Sequence, residues 1–329
     1  MNVNPHPYDA LTPDAVLNAV ESIGLLTDAR ILALNSYENR VYQIGIEEDA
    51  PVITKFYRPQ RWTREQILEE HQFVLELEAL EIPVVAPMTI NGNTLFDYQG
   101  FMFSVYPRRG GRTPELEDLD NLFAIGRYIG RMHACGAVRP FIYRPTMNVV
   151  DEATASSRYL LANDFIPKDL RPAYETTSDD LIERMQQSLA PHKNLLNIRL
   201  HGDCHASNIL WRDECHYFVD FDDCKTGPAI QDLWLLLWGE RPTRIRLIAE
   251  LLEGYREFHD FNPVELQLIE TLRTLRIMNY SAWLAKRWSD PAFPRHFPWF
   301  NTERYWSEHI LQLREQQSAM QEEPLVLLG

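Results

Sequence analysis

Cysteine is scarce. The 329 residues hold four, Cys135, Cys204, Cys215 and Cys224, with no CxxC pair among them. A disulfide framework is thereby excluded, and a reducing cytoplasm is the expected setting. No apolar run approaches 18 residues, so no membrane span is expected. Met1 to Leu17 has neither the basic start nor the apolar core of a secretion signal. Basic residues are outnumbered, 32 Lys and Arg against 47 Asp and Glu, for a formal net charge of −15. Such a chain has no general basic footprint, which argues against nucleic acid as a partner. The acidic surface serves solubility, or it steers cationic substrates toward the protein. Internal repeats, low-complexity tracts and long coiled-coil heptads are absent too, so a monomer is expected.

What is present has ordinary globular proportions, 45% hydrophobic and 24% charged. The length is large for one core and suggests two lobes. Residues 31–35, 40–46 and 51–57 read as strands, the first two flanking the turn Ser36-Tyr37-Glu38-Asn39. Thr63 to Leu80 reads as a helix, with Thr63 and Gln66 forming a capping box and Ile67, Val74 and Leu77 on one face. Residues 84–90 and 101–106 read as two further strands. Pro107 and Gly110-Gly111 then mark a lobe boundary. Beyond it the pattern turns helical: Leu122, Ile125, Ile129 and Met132 recur at helix spacing, and 173–190, 230–259, 263–287 and 302–320 read as helices. One β-rich patch, 198–221, interrupts them.

The chemistry concentrates in that patch. Residues 201–210 read HGDCHASNIL, and FVDFDD follows at 218–223. Phosphoryl transfer needs a carboxylate to orient an acceptor hydroxyl and take its proton, and oxygen ligands to hold Mg²⁺ against a triphosphate. Asp203 suits the first task; Asn208 and Asp220 suit the second. Asp203 and Asn208 are five residues apart, the spacing of the protein-kinase catalytic loop, and Asp220 ends an apolar strand as a metal-binding aspartate does there. A buried polar turn before an ordinary strand does not explain three metal-competent side chains in this order. A metallohydrolase site built from His201, Asp203, His205 and Asp220 lacks HExxH or a comparable second motif, and leaves Asn208 and Lys55 without a role.

HGDCHASNIL with FVDFDD resembles the aminoglycoside phosphotransferase and choline kinase superfamily, whose members share the protein-kinase fold. The stretches LNSYENRVYQI, VITKFYRP, WTREQILEEHQF and RWSDPAFPRHFPW are similar to its bacterial stress-response serine/threonine protein kinases, and this likeness covers essentially the whole chain. The resemblance implies an α+β, bilobal protein-kinase-like fold: a small β-rich nucleotide-binding lobe (1–106), a hinge (107–111), and a larger, mainly helical lobe (112–329) with the catalytic loop and acceptor site. It implies ATP and Mg²⁺ as cofactors and a cytoplasmic enzyme. The expected partner is a protein with a Ser or Thr acceptor, the alternative a small-molecule hydroxyl.

By the same resemblance, Asp203 and Asp220 are catalytic, and Asn208 and Asp220 bind the metal. Lys55, on the third strand, grips the α- and β-phosphates, with Glu70 as its partner and Glu69 as second choice. No GxGxxG is present, and Ser36 in the turn that replaces it is implied to lie near ATP; an ordinary hairpin turn is the plainer reading. Asp232 is implied to hold the catalytic loop from below, and His201 to support the loop's backbone. The late aromatics Trp283, Trp288, Phe293, Phe297, Trp299 and Phe300 are either core or a substrate wall. Between Asp220 and the helix expected at 230 too little chain remains for an activation loop, so activity independent of phosphorylation there is expected.

Overall fold

The computed structural model describes residues 8–327. Residues 1–7, part of the segment read for a leader, lie outside it, as do 328–329. Helix α1 (Pro13–Ser22) begins where the Thr12 hydroxyl accepts the Ala15 N–H at 3.2 Å, a cap worth ~1 kcal/mol. Its Val16, Ala19 and Val20, at helical spacing, are fully buried. They share one core with Ile44, Phe56, Phe103 and Val105 of a five-stranded antiparallel sheet. That sheet contains β1 (Thr27–Leu34), β2 (Arg40–Ile46), β3 (Asp49–Phe56), β4 (Phe96–Tyr98) and β5 (Phe101–Pro107), in the order β1-β2-β3-β5-β4.

Helix α2 (Arg64–Ala79) starts on the expected capping box: Thr63 Oγ1 accepts the Gln66 N–H at 3.3 Å, and Gln66 Oε1 accepts the Thr63 N–H at 2.9 Å. Its buried Phe73, Val74 and Leu77 belong to the core of the second lobe, with Ile125 and Ile129. The helix therefore ties the lobes together and does not belong to the small one alone.

The helical lobe holds α3 (Leu119–Gly136), α4 (Val149–Ala162), α5 (Arg171–Leu189), α6 (Arg241–Tyr255), α7 (Ile269–Lys286), α8 (Ala292–His296) and α9 (Glu303–Ala319). The same lobe holds two short ribbons: β6 (Ile198–Leu200) with β9 (Lys225–Gly227), and β7 (Ile209–Arg212) with β8 (Cys215–Phe218). Helices α3 and α6 touch backbone to backbone at Gly126, where an added Cβ would lie 2.0 Å from the Leu251 carbonyl oxygen. Among the described residues no helix is long and apolar enough to cross a membrane.

Two expected elements are corrected. Residues 84–90 form no strand of the sheet. Pro83 and Pro87 remove two N–H donors there, and the remaining bonds split between the lobes: Val85 N–H to Phe218 O at 3.0 Å and Met88 N–H to Val105 O at 2.7 Å. The fifth strand is β4 instead. The helix expected at 230–259 is broken. Short 3₁₀ turns span Ala229–Asp232 and Trp234–Leu236, Gly239 takes φ +75°, and α6 begins beside Pro242, an N-terminal position that proline favours. From Asp220 to Asp232 the chain is filled by the turn Phe221–Asp223, β9 and the turn Ala229–Asp232. No long loop intervenes.

Candidate active site

The catalytic-loop candidate hangs from the end of β6, whose three residues are buried. The fully buried Asp232 holds it from below. Asp232 Oδ2 accepts the His201 N–H at 2.7 Å and lies 3.1 Å from His133 Nε2, while Oδ1 accepts the Gly202 N–H at 2.8 Å. A buried carboxylate with three donors is satisfied, which is the condition for keeping a charge inside a protein. His201 Nδ1 accepts the Asp203 N–H at 3.3 Å, leaving Nε2 to donate to the Val219 carbonyl at 2.9 Å. The expected supporting parts of Asp232 and His201 both have their bonds here. Gly202 takes φ +88°, and an added Cβ would meet the Asp223 carbonyl oxygen at 2.1 Å. This position needs glycine on both counts.

Asn208 and Asp220 are brought together by the β7–β8 hairpin. Its two-residue turn, Asp213-Glu214, has φ of +51° and +61°, the left-handed pair that matches the twist of a tight hairpin. The turn sets Arg212 opposite Cys215 and Ile209 opposite Phe218. Asn208 and Val219 then flank the ribbon's open end, joined by Val219 N–H to Asn208 O at 3.0 Å. Asp220 is the next residue, in the left-handed region at φ +61°, ψ +65°. Asn208 Nδ2 donates to the Asp203 carbonyl at 3.0 Å, so its amide oxygen is the end left for a ligand.

Lys55 reaches this group from β3. Its ammonium lies 2.9 Å from Asp220 Oδ1 and 3.2 Å from Asp222 Oδ1. Burial works against its charge, but Asp220, Asp222 and Glu70 outweigh it and lift its pKa well above the usual lysine value. The expected Lys55–Glu70 ion pair is replaced. The buried Glu70 carboxylate bonds Arg144, whose Nη1 also donates to the Asp222 carbonyl at 2.8 Å. Burial raises the Glu70 pKa, and Lys55 and Arg144 pull it back. Glu69 is no partner of Lys55 either. It accepts the N–H groups of Ile142, Tyr143 and Arg144 at 2.6, 2.8 and 2.7 Å.

Sequence reasoning missed Asp222. It is 3% exposed, bonds Arg61, and accepts Asn39 Nδ2 at 3.2 Å. Burial would raise its pKa, yet Arg61, Lys55 and Arg144 hold the carboxyl below the usual range. The run FDD signalled spare carboxylates; nothing local signalled Arg61 or Arg144.

These groups line one cleft of about 890 Å³ that includes Ser36, Lys55, Glu70, Asp203, Asn208 and Asp220. All six residues expected at the site thus face a common space. Asp203 also meets Arg276 Nη1 at 2.6 Å and His205 Nε2 at 3.4 Å. Burial opposes its ionisation, but the hydrogen bond with His205 and the charge of Arg276 keep its pKa below the usual range. The turn bearing Ser36 is clamped through Glu38. Its carboxylate meets Arg58 at 3.1 Å and Arg287 at 2.5 Å, and accepts Trp283 Nε1 at 2.7 Å. Of the late aromatics, Phe293, Phe297 and Phe300 are core, Trp283 lines the cleft, and Trp299 is 44% exposed.

A family model described as "Phosphotransferase enzyme family" matches residues 30–269. The chain belongs to that family. It is 44% identical to stress response kinase A of Escherichia coli strain K12 over 327 residues, 99% of each chain. It is 41% identical, with the same coverage, to the serine/threonine protein kinase RdoA of Salmonella typhimurium. Among solved structures it is similar to the amicoumacin kinase hAmiN, in complex with AMP-PNP, Ca²⁺ and Ami. The TM-score is 0.72 at 19% identity, covering 96% of this chain and 95% of that one. A microcompartment-associated aminopropanol kinase follows at TM-score 0.67 and 16% identity, covering 93% and 98%. These neighbours share the bilobal kinase-like fold of this phosphotransferase.

Proposed function

We propose that this phosphotransferase moves the γ-phosphoryl group of ATP, with Mg²⁺, to a serine or threonine hydroxyl of a protein in a stress response. The observation that carries the reading is the meeting of Lys55 with Asp220 beside Asn208, in the cleft that Asp203 also lines. The choice of a protein acceptor rests on the 41–44% identity, over 99% of the chain, to named stress-response and serine/threonine kinases. Four free cysteines support a reducing, cytoplasmic setting.

The donor set fits a hard cation. Asp220 offers a carboxylate whose side chain is 55% exposed, and Asn208 offers its uncommitted amide oxygen. Two protein oxygens, with phosphate and water completing the shell, is a common way to bind Mg²⁺. When bound, the ion neutralises charge on the phosphates. Lys55 holds the phosphates from the sheet side, and Ser36 and its turn cover them. Asp203 orients the acceptor hydroxyl and receives its proton. As the acceptor oxygen bonds to the γ-phosphorus, the bridging bond to the β-phosphate breaks and ADP leaves with the electron pair. Glu70 positions Lys55 through its charge and, through Arg144, the backbone of Asp222.

Labelled ATP supplied with acceptor proteins and with a panel of hydroxylated metabolites tests the reading. Protein labelling is expected. Rapid turnover of one metabolite without protein labelling would favour a small-molecule kinase. Asp203→Ala is expected to abolish transfer and spare nucleotide binding, and Asp220→Ala to weaken both. Near-normal turnover in the two variants would refute the assignments.

A further inference from the structure

We propose that Arg276 recognises the acceptor: it holds Asp203 in the resting enzyme and passes to an anionic group beside the reacting hydroxyl, so that acidic peptide segments are preferred. This rests on the phosphotransfer reading above.

Helix α7 presents one stripe to the cleft, Leu272, Leu275, Arg276, Asn279, Tyr280 and Trp283, at the spacing of a single helix face. Arg276 is the one charged side chain in that stripe. The helix is braced at this height. Asn279 accepts Ser156 Oγ at 2.7 Å and donates to Glu152 Oε2 at 3.3 Å, and Glu152 Oε1 takes the Asn148 N–H at 3.1 Å. Glu152 therefore has both oxygens engaged. Among the described residues, Asp203 is the carboxylate within 4.0 Å of the Arg276 guanidinium, at 2.6 Å from Oδ1.

An acceptor hydroxyl must bond an Asp203 oxygen. Oδ1 carries Arg276, and Oδ2 faces His205 at 3.4 Å. Whichever oxygen the hydroxyl takes, it arrives beside the guanidinium, whose side chain is 47% exposed. A guanidinium has five donors in a fixed fork suited to carboxylate or phosphate. Sharing Asp203 with a hydroxyl weakens the resting pair, and an acceptor with its own anion offers Arg276 a replacement. An acceptor lacking one leaves the cation without it.

Two readouts test this, with thermal melts to show that each variant folds. The first compares wild type, Arg276→Met and Arg276→Lys on serine peptides that differ only in Glu or Gln beside the serine. Wild type is expected to favour the Glu peptide about tenfold in kcat/KM, the scale of one charge-assisted bond. The preference lies mainly in KM, vanishes in Arg276→Met and partly returns in Arg276→Lys. The second, which needs no acceptor, is ATP hydrolysis by water. Arg276→Met is expected to raise it several-fold, because Asp203 is then open to solvent. Equal use of both peptides, or an unchanged preference in Arg276→Met, overturns acceptor recognition; unchanged or lowered hydrolysis overturns the resting hold. If no peptide is labelled while hydrolysis rises, the acidic-peptide preference falls and the hold on Asp203 stands. Asp203→Ala separates the two claims. If it leaves hydrolysis and labelling intact, the phosphotransfer assignment has failed, whatever Arg276 does.

Discussion

Replacing Asp232 by asparagine changes one atom type at the base of the catalytic loop. The carboxylate meets three partners: His201 N–H at 2.7 Å, Gly202 N–H at 2.8 Å and His133 Nε2 at 3.1 Å. An asparagine has one acceptor oxygen. If that oxygen keeps Gly202, the amide nitrogen faces the His201 N–H, donor against donor. His133 can adapt by exchanging tautomers, but a backbone N–H cannot. The variant thus loses one charge-assisted bond and leaves a buried donor unpaired, together about 3 kcal/mol. With an unfolding entropy of about 2.1 cal/mol/K per residue, the melting temperature falls by about 4–7 °C, depending on whether the helical lobe melts alone or with the sheet. Activity falls further than stability requires, because Asp203 is two residues from the lost bond. A displacement approaching 1 Å costs roughly 10²-fold. Calorimetry and steady-state kinetics below the melting range measure both. A melting temperature within 1 °C of wild type, by the same entropy estimate, would refute the bond count. Unchanged kcat in a destabilised variant would refute the link from Asp232 to Asp203.

Gly202→Ala is expected to lose activity and several degrees of melting temperature, since it adds strain at φ +88° and an overlap with the Asp223 carbonyl; recovery of wild-type kinetics would show that the two loops can separate. Arg144→Met leaves the buried Glu70 without its partner, a loss of about 3–5 kcal/mol. Adding Glu70→Gln to that variant should restore part of the melting temperature. Stability also depends on pH through His71, which is 1% exposed and whose pKa burial pushes down to about 3. Because the folded value lies below the unfolded one, this histidine's contribution is complete above pH 6.5 and falls as the pH drops toward 3. By pH 5 the loss is about 2 kcal/mol. Urea midpoints between pH 7 and 5 should fall less steeply in His71→Gln. Finally, protein expressed without any other kinase should be active, because 221–230 holds turns and a strand. Strict dependence on a phosphorylated residue there would contradict this.

Legibility followed chain distance. Thr63 and Gln66 bond each other across three residues, so composition and spacing were enough to place the start of α2. The HGDCHASNIL and FVDFDD segments are joined by one hairpin, so their convergence was also readable. The misread elements were decided by proline and by partners far away. Residues 84–90 have strand-like composition, but their backbone bonds go to Phe218 in one lobe and Val105 in the other. Residues 230–240 have helix-like composition, but Gly239 and the packing of Asp232 under the loop break the helix.

What the amino-acid order determined by itself is the set of reactive groups, their order, and the two-lobed plan, because these depend on local hydrogen bonding and on short-period burial patterns. Only the tertiary structure decided how the charges are shared. Lys55 lies between Asp220 and Asp222, Glu70 goes to Arg144, and Arg276 takes Asp203. A cation in the cleft takes the carboxylate that reaches it with the least desolvation and the best geometry, and partners 73 to 167 residues apart in the chain meet only through tertiary packing, Lys55 across the two lobes and Arg276 within the helical one.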